Sequence, residues 1–143
     1  MIKEILLVFL AGCVIYTAYL FLFIRLSKHI YILSADEFEK QLTKTKRIQL
    51  IDLRIPRGYR KSRIANAQNI DFMRLDFHRK IKTMDNTQPV MVYCLSGFRS
   101  KMVLPTLCKA GFTNIYELNA GFSGWLRAGK PTVQEKSTCD AMK

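Results

Sequence analysis

A long apolar segment near the amino terminus constrains this chain more than any other feature. Residues 5–24 read ILLVFLAGCVIYTAYLFLFI and carry no charged side chain. A helix of about 20 residues rises about 1.5 Å per residue and spans roughly 30 Å, the thickness of a bilayer's hydrocarbon core. A cleaved signal peptide has a shorter apolar region, of about 7–15 residues, that ends at a small-residue cleavage site. The sequence therefore predicts an uncleaved membrane anchor, here assigned to residues 1–28.

The charges beside this segment predict which side of the membrane holds the rest of the chain. Lys3 precedes the segment, whereas Arg25 and Lys28 follow it, and further basic residues lie at positions 40, 44, 46 and 47. Basic residues next to a membrane span stay preferentially on the cytoplasmic side. The sequence therefore predicts a single-pass membrane protein whose main domain faces the cytoplasm.

The overall charge indicates anionic partners. The chain has 23 Lys and Arg residues against 11 Asp and Glu residues, which gives a net charge of +12. Eight basic residues and a single acid fall between positions 44 and 63. Such a segment forms a solvated face, binds anionic lipid headgroups, or steers small anionic substrates toward a pocket. No aromatic-interleaved recognition pattern accompanies the charge, so no nucleic-acid partner is expected.

Cysteine and histidine usage argues against a metal site. The two histidines, His29 and His78, occur in unrelated contexts, and the four cysteines lie far apart at positions 13, 94, 108 and 139. Structural zinc sites use closely spaced ligand pairs, and disulfide frameworks use denser sets of cysteines. We therefore expect free thiols and neither a metal nor a cofactor. Cys108 is expected to be a core residue, and Cys139 a bystander.

Beyond the apolar segment, strand-like and helix-like segments alternate. Short apolar runs predict strands at 30–33, 48–53, 67–72, 90–94 and 114–118. A helix is predicted from Ser34, because Glu37 lies at the spacing of a capping box. Further helices are predicted over 73–81, 98–111 and 121–129. The connection at 54–63 is interpreted as basic and turn-rich.

This alternation predicts an α/β fold built on a small parallel sheet flanked by helices. The near-continuous apolar run VMVYC at 90–94 is typical of a strand that is buried on both faces of such a sheet. The predicted organisation is thus an anchor at 1–28, one globular domain at 29–132 and a polar tail at 133–143.

The stretch CLSGFRS, residues 94–100, combines features that activate a cysteine. Cys94 follows a predicted buried strand and precedes a predicted helix, so backbone N–H groups and the positive end of the helix would stabilise its thiolate. Gly97 lets the backbone turn where a Cβ would obstruct it, and Arg99 supplies a cation with fork geometry for an oxyanion. The residue types alone leave a buried structural cysteine as an open alternative.

Four motifs follow one another along the chain: IDLR at 51–54, the CLSGFRS loop, GFTNIYELNAGFSGW at 111–125 and GKP at 129–131. Over residues 30–132 the chain resembles the rhodanese-like domain. This resemblance implies a small parallel sheet wrapped by helices, and sulfur transfer through a cysteine persulfide. Cys94 would carry the persulfide, and the substrate loop would comprise Leu95, Ser96, Gly97, Phe98 and Arg99. Arg54 and Arg60 are secondary candidates for substrate contact, although the equivalent Asp–Arg pair, here Asp52 and Arg54, is mostly structural in that family.

The same resemblance implies the substrates and leaves two alternatives. The partners would be a small anionic sulfur donor, such as thiosulfate, and a thiol or cyanide acceptor. Related phosphatases place an arginine six positions after the cysteine, where this chain has Ser100, so the shorter loop ending at Arg99 favours sulfur over phosphate. A tethered binding module that uses the fold without catalysis is the other alternative.

This chain departs from common family residues at three places. It has Gly58 before Tyr59, Ser62 and Arg63 where Gly-His is common, and Ala120 in place of the first glycine of a pair. These departures bear on packing and on the native substrate.

Overall fold

The computed structural model describes residues 1–134, and within them the chain forms five strands and six helices. The strands are β1 (Ile30–Leu33), β2 (Gln49–Asp52), β3 (Gln68–Asn69), β4 (Val90–Tyr93) and β5 (Ile115–Leu118). They form one sheet in the order β1-β5-β4-β2-β3, in which every neighbouring pair is parallel. The predicted α/β fold with a parallel sheet is confirmed.

The helices follow the predicted pattern with one exception, although the helix predicted over 73–81 begins only at Phe77. They are α1 (Ile2–Leu26), α2 (Ala35–Lys44), α3 (Pro56–Lys61), α4 (Phe77–Lys82), α5 (Phe98–Lys109) and α6 (Gly121–Arg127). Ser34 and Glu37 form the predicted capping box at the start of α2. Helix α5 continues through Pro105, and Gly111 follows it with a φ of +92°.

The exception is α3, because the interpretation of residues 54–63 as a turn-rich connection was wrong for Pro56–Lys61. Pro56 occupies the first turn of this helix, where its fixed φ and missing N–H cost nothing. The helix has only six residues and contains Gly58, so it is too short for an apolar period to mark it in the sequence.

Each face of the sheet has its own apolar core. In β4, Val90 and Val92 join one cluster with residues of α5, whereas Met91 and Tyr93 join the other with residues of α2 and α6. Side chains alternate between the two faces along a strand. Cys94 continues this alternation and belongs to the cluster beneath α5. The alternation of side chains along β4 thus places Cys94 on the face of the sheet that α5 covers.

The first helix is long and apolar enough to cross a membrane. Leu20 is buried, and Phe23 and Ile24 pack against the domain core, so the last turns of α1 belong to the domain's packing. Only three residues, 27–29, separate α1 from β1. The domain is therefore attached closely to the end of this helix.

The domain's packing extends slightly beyond the predicted boundary at residue 132. Val133 and Arg63 exchange two backbone N–H···O hydrogen bonds of 2.9 Å each, in an antiparallel bridge. Residues 135–143 of the predicted tail, which include Cys139, lie outside the described residues.

Candidate active site

Cys94 lies at the carboxyl edge of the sheet, directly after β4, and three residues separate it from the start of α5. It is 1% exposed and packs within the core cluster beneath α5. The loops that follow β2 and β5 leave the sheet at the same edge. In open α/β sheets, ligands bind outside the carboxyl ends of the strands. The position of Cys94 therefore suits chemistry, in spite of its low exposure.

Gly97 holds the loop around the cysteine sulfur. Its backbone N–H donates to Cys94 Sγ over 3.1 Å, and the residue caps α5 with a φ of +87°. A Cβ on Gly97 would collide with the carbonyl oxygen of Asn119. Because the sulfur accepts an N–H at the amino end of a helix, the site favours negative charge on sulfur.

The start of α6 forms hydrogen bonds with the same loop. The N–H of Phe122 donates to the Cys94 carbonyl over 2.8 Å, and the N–H of Ser123 donates to the Leu95 carbonyl over 2.9 Å. Gly121 has a φ of +57°, and a Cβ on it would come within 2.6 Å of Gly97 N. Ala120, by contrast, has an ordinary φ of −96°. Only the second position of the family's glycine pair needs glycine here, so the departure at Ala120 leaves this packing intact.

The other predicted loop residues surround the sulfur with unequal exposure. Leu95 and Phe98 are 50% and 61% exposed, and Ser96 is also exposed. Arg99, in the first turn of α5, is half-buried, and its guanidinium forms neither a hydrogen bond nor an ion pair with any residue of 1–134. The loop thus combines an apolar rim with an arginine that has no protein partner among those residues.

A buried polar cluster behind the sulfur was missed in the sequence. Ser100 Oγ lies 3.6 Å from Cys94 Sγ and donates a hydrogen bond of 2.5 Å to Oε1 of Glu117. Lys101 Nζ lies 3.2 Å from Oε2 of Glu117 and also donates to the carbonyl oxygens of Gly97 and Asn119. The cluster thereby ties α5, β5 and the cysteine loop together.

Burial sets the protonation behaviour of this cluster. Glu117 is fully buried, and burial raises the pKa of its carboxyl, while the hydrogen bond from Ser100 and the charge of Lys101 partly oppose the rise. One feature of the sequence indicated this cluster. Glu117 is a charged residue two positions after Ile115 in β5, so it lies on the same face of the strand as that core residue. A carboxylate at such a position needs partners, and α5 supplies both of them.

Arg54, a secondary candidate for substrate contact, is occupied by the fold. Its guanidinium bonds both carboxylate oxygens of Asp52, at 2.6–3.1 Å, and donates to the Ser62 carbonyl over 2.7 Å. The guanidinium carbon also lies 3.9 Å from the ring centre of Phe122. Both charged side chains are buried. This geometry assigns Arg54 to the support of the carboxyl edge.

We expect Asp52→Asn to destabilise the protein by about 3–5 kcal/mol, because it leaves the Arg54 charge buried without its partner. Urea unfolding of the full chain in detergent, followed by circular dichroism, measures this loss. The matched control is Asp36→Asn, since the Asp36 side chain is 74% exposed in its ion pair with Lys130. The control is expected to leave stability almost unchanged, because an ion pair open to solvent contributes little. Equal losses in the two variants would contradict the structural role of the buried pair.

Arg60 and most of the basic segment face solvent. Two of the eight basic residues between positions 44 and 63 are engaged in the domain: Arg54 as above, and Arg63, whose guanidinium lies 4.5 Å from the ring centre of Tyr59. The exposed ones are Lys44, Lys46, Arg47, Arg57, Arg60 and Lys61. The Arg60 side chain makes no hydrogen bond or ion pair within residues 1–134, and the residue lies on α3, outside the cysteine loop. The basic residues thus form an exposed set that is separate from the sulfur's immediate surroundings.

Comparison with known proteins identifies the domain. The family model described as the rhodanese-like domain matches residues 34–128. Thiosulfate sulfurtransferase GlpE of Shewanella oneidensis is 32% identical over 88 residues, which cover 62% of this chain and 85% of the relative. The GlpE protein of Coxiella burnetii is 34% identical over 92 residues, which cover 64% of this chain and 83% of the relative.

Solved structures show the same fold. A rhodanese-related protein from Thermoplasma volcanium superimposes with a TM-score of 0.63 at 23% identity, covering 72% of this chain and 97% of that one. The Alr3790 protein from Anabaena gives a TM-score of 0.64 at 20% identity, covering 77% of this chain and 87% of that one. At these identities the likeness concerns the arrangement of the sheet and its helices.

Proposed function

This chain belongs to the rhodanese-like domain family, and we propose that it is a sulfurtransferase that carries sulfane sulfur as a persulfide on Cys94. The observation that carries the proposal is the hydrogen bond of 3.1 Å from the Gly97 N–H to Cys94 Sγ, at the amino end of a 12-residue helix. A sulfur atom so placed is stabilised as an anion, which is the form that attacks a sulfur donor. The relatives named thiosulfate sulfurtransferase support the same chemistry.

The proposed cycle has two displacement steps at sulfur. In the first, the Cys94 thiolate attacks the outer sulfur of a thiosulfate-like donor; an S–S bond to Cys94 forms, and sulfite leaves with the electron pair of the broken bond. In the second, cyanide or a thiolate attacks the outer sulfur of the persulfide. The S–S bond then breaks and returns the Cys94 thiolate. Each step forms one bond and breaks one, so the enzyme needs no further reductant.

The charge around the loop suits a small anionic donor. Arg99 has no hydrogen-bonding or ion-pairing partner within residues 1–134, so its guanidinium is available for an oxyanion such as the sulfonate end of thiosulfate. The Gly97 N–H and the positive end of α5 act on the sulfur itself. In this proposal Arg99 binds the donor, and the loop stabilises the persulfide.

A second candidate function is a binding module that presents this edge of the domain to a partner. The observation that favours it is the contrast between Cys94, which is 1% exposed, and its neighbours Leu95 and Phe98, which are 50% and 61% exposed. Exposed apolar side chains around a covered sulfur suit a docking surface. In that case the sulfur would accept no sulfane atom.

Incubation of the full chain with thiosulfate tests these functions against each other. We expect intact-mass and peptide mass spectrometry to find one added sulfur atom on Cys94, and added cyanide to remove it as thiocyanate. If Cys94 acquires no sulfur from thiosulfate or from an organic persulfide, the sulfurtransferase proposal is wrong and the binding module is favoured. Hydrolysis of a phosphotyrosine mimic that depends on Cys94 would instead indicate a phosphatase.

We further propose that α1 is a single-pass anchor and that the domain lies against the cytoplasmic face of the membrane. The short connection between α1 and β1 and the packing of Phe23 and Ile24 on the domain keep it near the end of the helix. Three exposed basic residues, Lys44, Lys46 and Arg47, precede β2 at the edge of the parallel sheet where α1 leads into β1, and they are then available to anionic headgroups. Each contributes on the order of 1 kcal/mol when it lies near such a surface.

Labelling of Cys139 measures this topology. We expect a membrane-impermeant maleimide to leave Cys139 unlabelled in intact cells and to label it after the cells are permeabilised, with Cys139→Ser as the control for signal at other cysteines. The protein should also remain in the membrane fraction after carbonate extraction. Labelling of Cys139 in intact cells would overturn the cytoplasmic assignment.

A further inference from the structure

The cluster behind Cys94 has an arrangement that the sulfur-transfer steps themselves do not require. Cys94 Sγ, Ser100 Oγ and Glu117 Oε1 follow one another at 3.6 Å and 2.5 Å. Ser100 and Glu117 are fully buried, and Cys94 is 1% exposed. The three groups thus form a chain with a titratable group at each end and little access to water.

We propose that Ser100 and Glu117 form a proton relay, in which Glu117 accepts the proton of the Cys94 thiol through the hydroxyl of Ser100. In this step the Cys94 S–H proton passes to Ser100 Oγ while the Ser100 proton passes to Glu117. The products are a thiolate and a neutral carboxylic acid. The proposal rests on the proposed role of Cys94 as the nucleophile and gives Glu117 the role of a positioning residue.

Counting hydrogens supports this direction of transfer. Ser100 has a single hydroxyl proton, and it is donated to Glu117, so the lone pairs of the hydroxyl face the thiol. If the thiol proton left for solvent instead, the thiolate and the Glu117 carboxylate would both be anions. Both would then need a hydrogen bond from Ser100, which has only one proton to donate. When Glu117 takes the proton, it donates to Ser100, and Ser100 donates to the thiolate. Every buried group then keeps a partner in both states.

Charges act on both ends of the relay: Lys101 favours the ionised form of Glu117 and opposes the transfer, whereas the groups around the Cys94 sulfur favour it. Lys101 is the charged residue that contacts the Glu117 carboxylate within residues 1–134, and it stays in place while the negative charge moves to the sulfur. At Cys94 that charge meets the Gly97 N–H and the amino end of α5. β1 and β4, which flank Glu117 in the sheet, face it with Ile32 and Val92, neither of which titrates. Lys101 is thus the fixed counter-charge of the relay.

The protonation of Glu117 suits the rest of the cycle as well. Burial raises the pKa of Glu117, so the folded protein holds the proton more tightly than a free glutamate would. Because neither sulfur-transfer step consumes a proton, Glu117 keeps it throughout turnover. The anionic persulfide then lies near a neutral Glu117 side chain. An ionised Glu117 carboxylate at the same place would repel it.

Alkylation of Cys94 by iodoacetamide tests the relay without any sulfur substrate. Peptide mass spectrometry of the full chain follows the rate at Cys94 between pH 5 and 10, with Cys108 as an internal reference because burial raises the pKa of that thiol. For the wild type we expect a profile with two rises, the first set by the coupled Cys94–Glu117 pair. In Glu117→Gln the first rise should vanish, and the rate at pH 6 should fall by about 100-fold, the lower end of what a positioned proton acceptor contributes.

Two further variants separate the relay from a purely electrostatic role of Glu117. If Glu117 only neutralises Lys101, Glu117→Gln frees that cation to stabilise the thiolate, and alkylation at pH 6 becomes faster. Ser100→Ala changes no charge, so the relay predicts the same loss as in Glu117→Gln, whereas the electrostatic role predicts almost no change. Glu39→Gln, which removes another lysine-paired carboxylate away from the loop, should match the wild type.

The outcomes are distinct from those for sulfur transfer. A wild-type profile with a single rise, or undiminished alkylation in Glu117→Gln or Ser100→Ala, overturns the relay whatever the sulfur assay gives. A two-rise profile that is lost in both variants supports the relay, even if thiosulfate adds no sulfur to Cys94. If Glu117→Gln does not fold, as judged by circular dichroism, Ser100→Ala carries the test with the same criteria.

Discussion

Replacing Cys94 with serine is expected to abolish persulfide formation and to lower thiocyanate production by at least about 1,000-fold, since the hydroxyl that replaces the thiol is a poor nucleophile toward sulfur. The substitution is nearly isosteric, and its hydroxyl can accept the Gly97 N–H that now meets the sulfur. Steady-state thiocyanate release from thiosulfate and cyanide measures the effect, and circular dichroism checks that the fold is retained.

The matched control for this substitution is Cys139→Ser, because the sequence predicts that Cys139 is a bystander. We expect this variant to transfer sulfur at the wild-type rate. Full activity of Cys94→Ser would show that another group carries the sulfur. A loss in Cys139→Ser instead would show that this second thiol takes part in the release of the persulfide.

Much of the fold could be predicted because its elements carry local signals. The capping box of Ser34 and Glu37 marks the start of α2, and the run at 90–94 marks the buried central strand β4. Alternation of strands and helices then leaves a parallel sheet as the fold class. Helix α3 was not predicted, because six residues that include a glycine give too short a pattern for an apolar period to appear.

The candidate site divides in the same way. The loop from Cys94 to Arg99 is contiguous, so its spacing could be interpreted directly from the sequence. The contact of Ser100 with Glu117 joins residues 17 positions apart, through the packing of α5 on β5. Nothing local in the sequence specifies such a contact. The charge at a core-facing position of β5 was the one available sign of it, and only the three-dimensional packing names its partners.

The same distinction applies to Arg54. Its position at the end of a predicted strand made it a candidate for substrate contact, because functional groups are common at that edge. The bonds from Nε and Nη2 to Asp52 and the Ser62 carbonyl, together with the stacking on Phe122, give its guanidinium a structural role. The sequence locates the charge at the carboxyl edge, whereas the role of that charge depends on partners from other segments.

Gly97→Ala is expected to lower stability by about 2–5 kcal/mol and sulfur transfer by about 100-fold. Two causes act together at this position. The φ of +87° is strained for any residue with a Cβ, and the added methyl group would collide with the Asn119 carbonyl oxygen, which is part of the backbone. Relief of the collision must move the Gly97 N–H away from Cys94 Sγ, so the support of the thiolate is lost along with stability. Urea unfolding of the full chain in detergent and thiocyanate release measure the two effects.

Gly129→Ala separates the two causes, because Gly129 also has a positive φ, +67°, but a Cβ there meets no atom within 4 Å. This control should lose only the conformational part, about 1–2 kcal/mol, and should transfer sulfur at the wild-type rate. A larger loss in Gly97→Ala than in Gly129→Ala then measures the collision at the loop. Wild-type sulfur transfer by Gly97→Ala would mean that the N–H bond to the sulfur contributes nothing to the reaction, and the observation that carries the proposed function would lose its force.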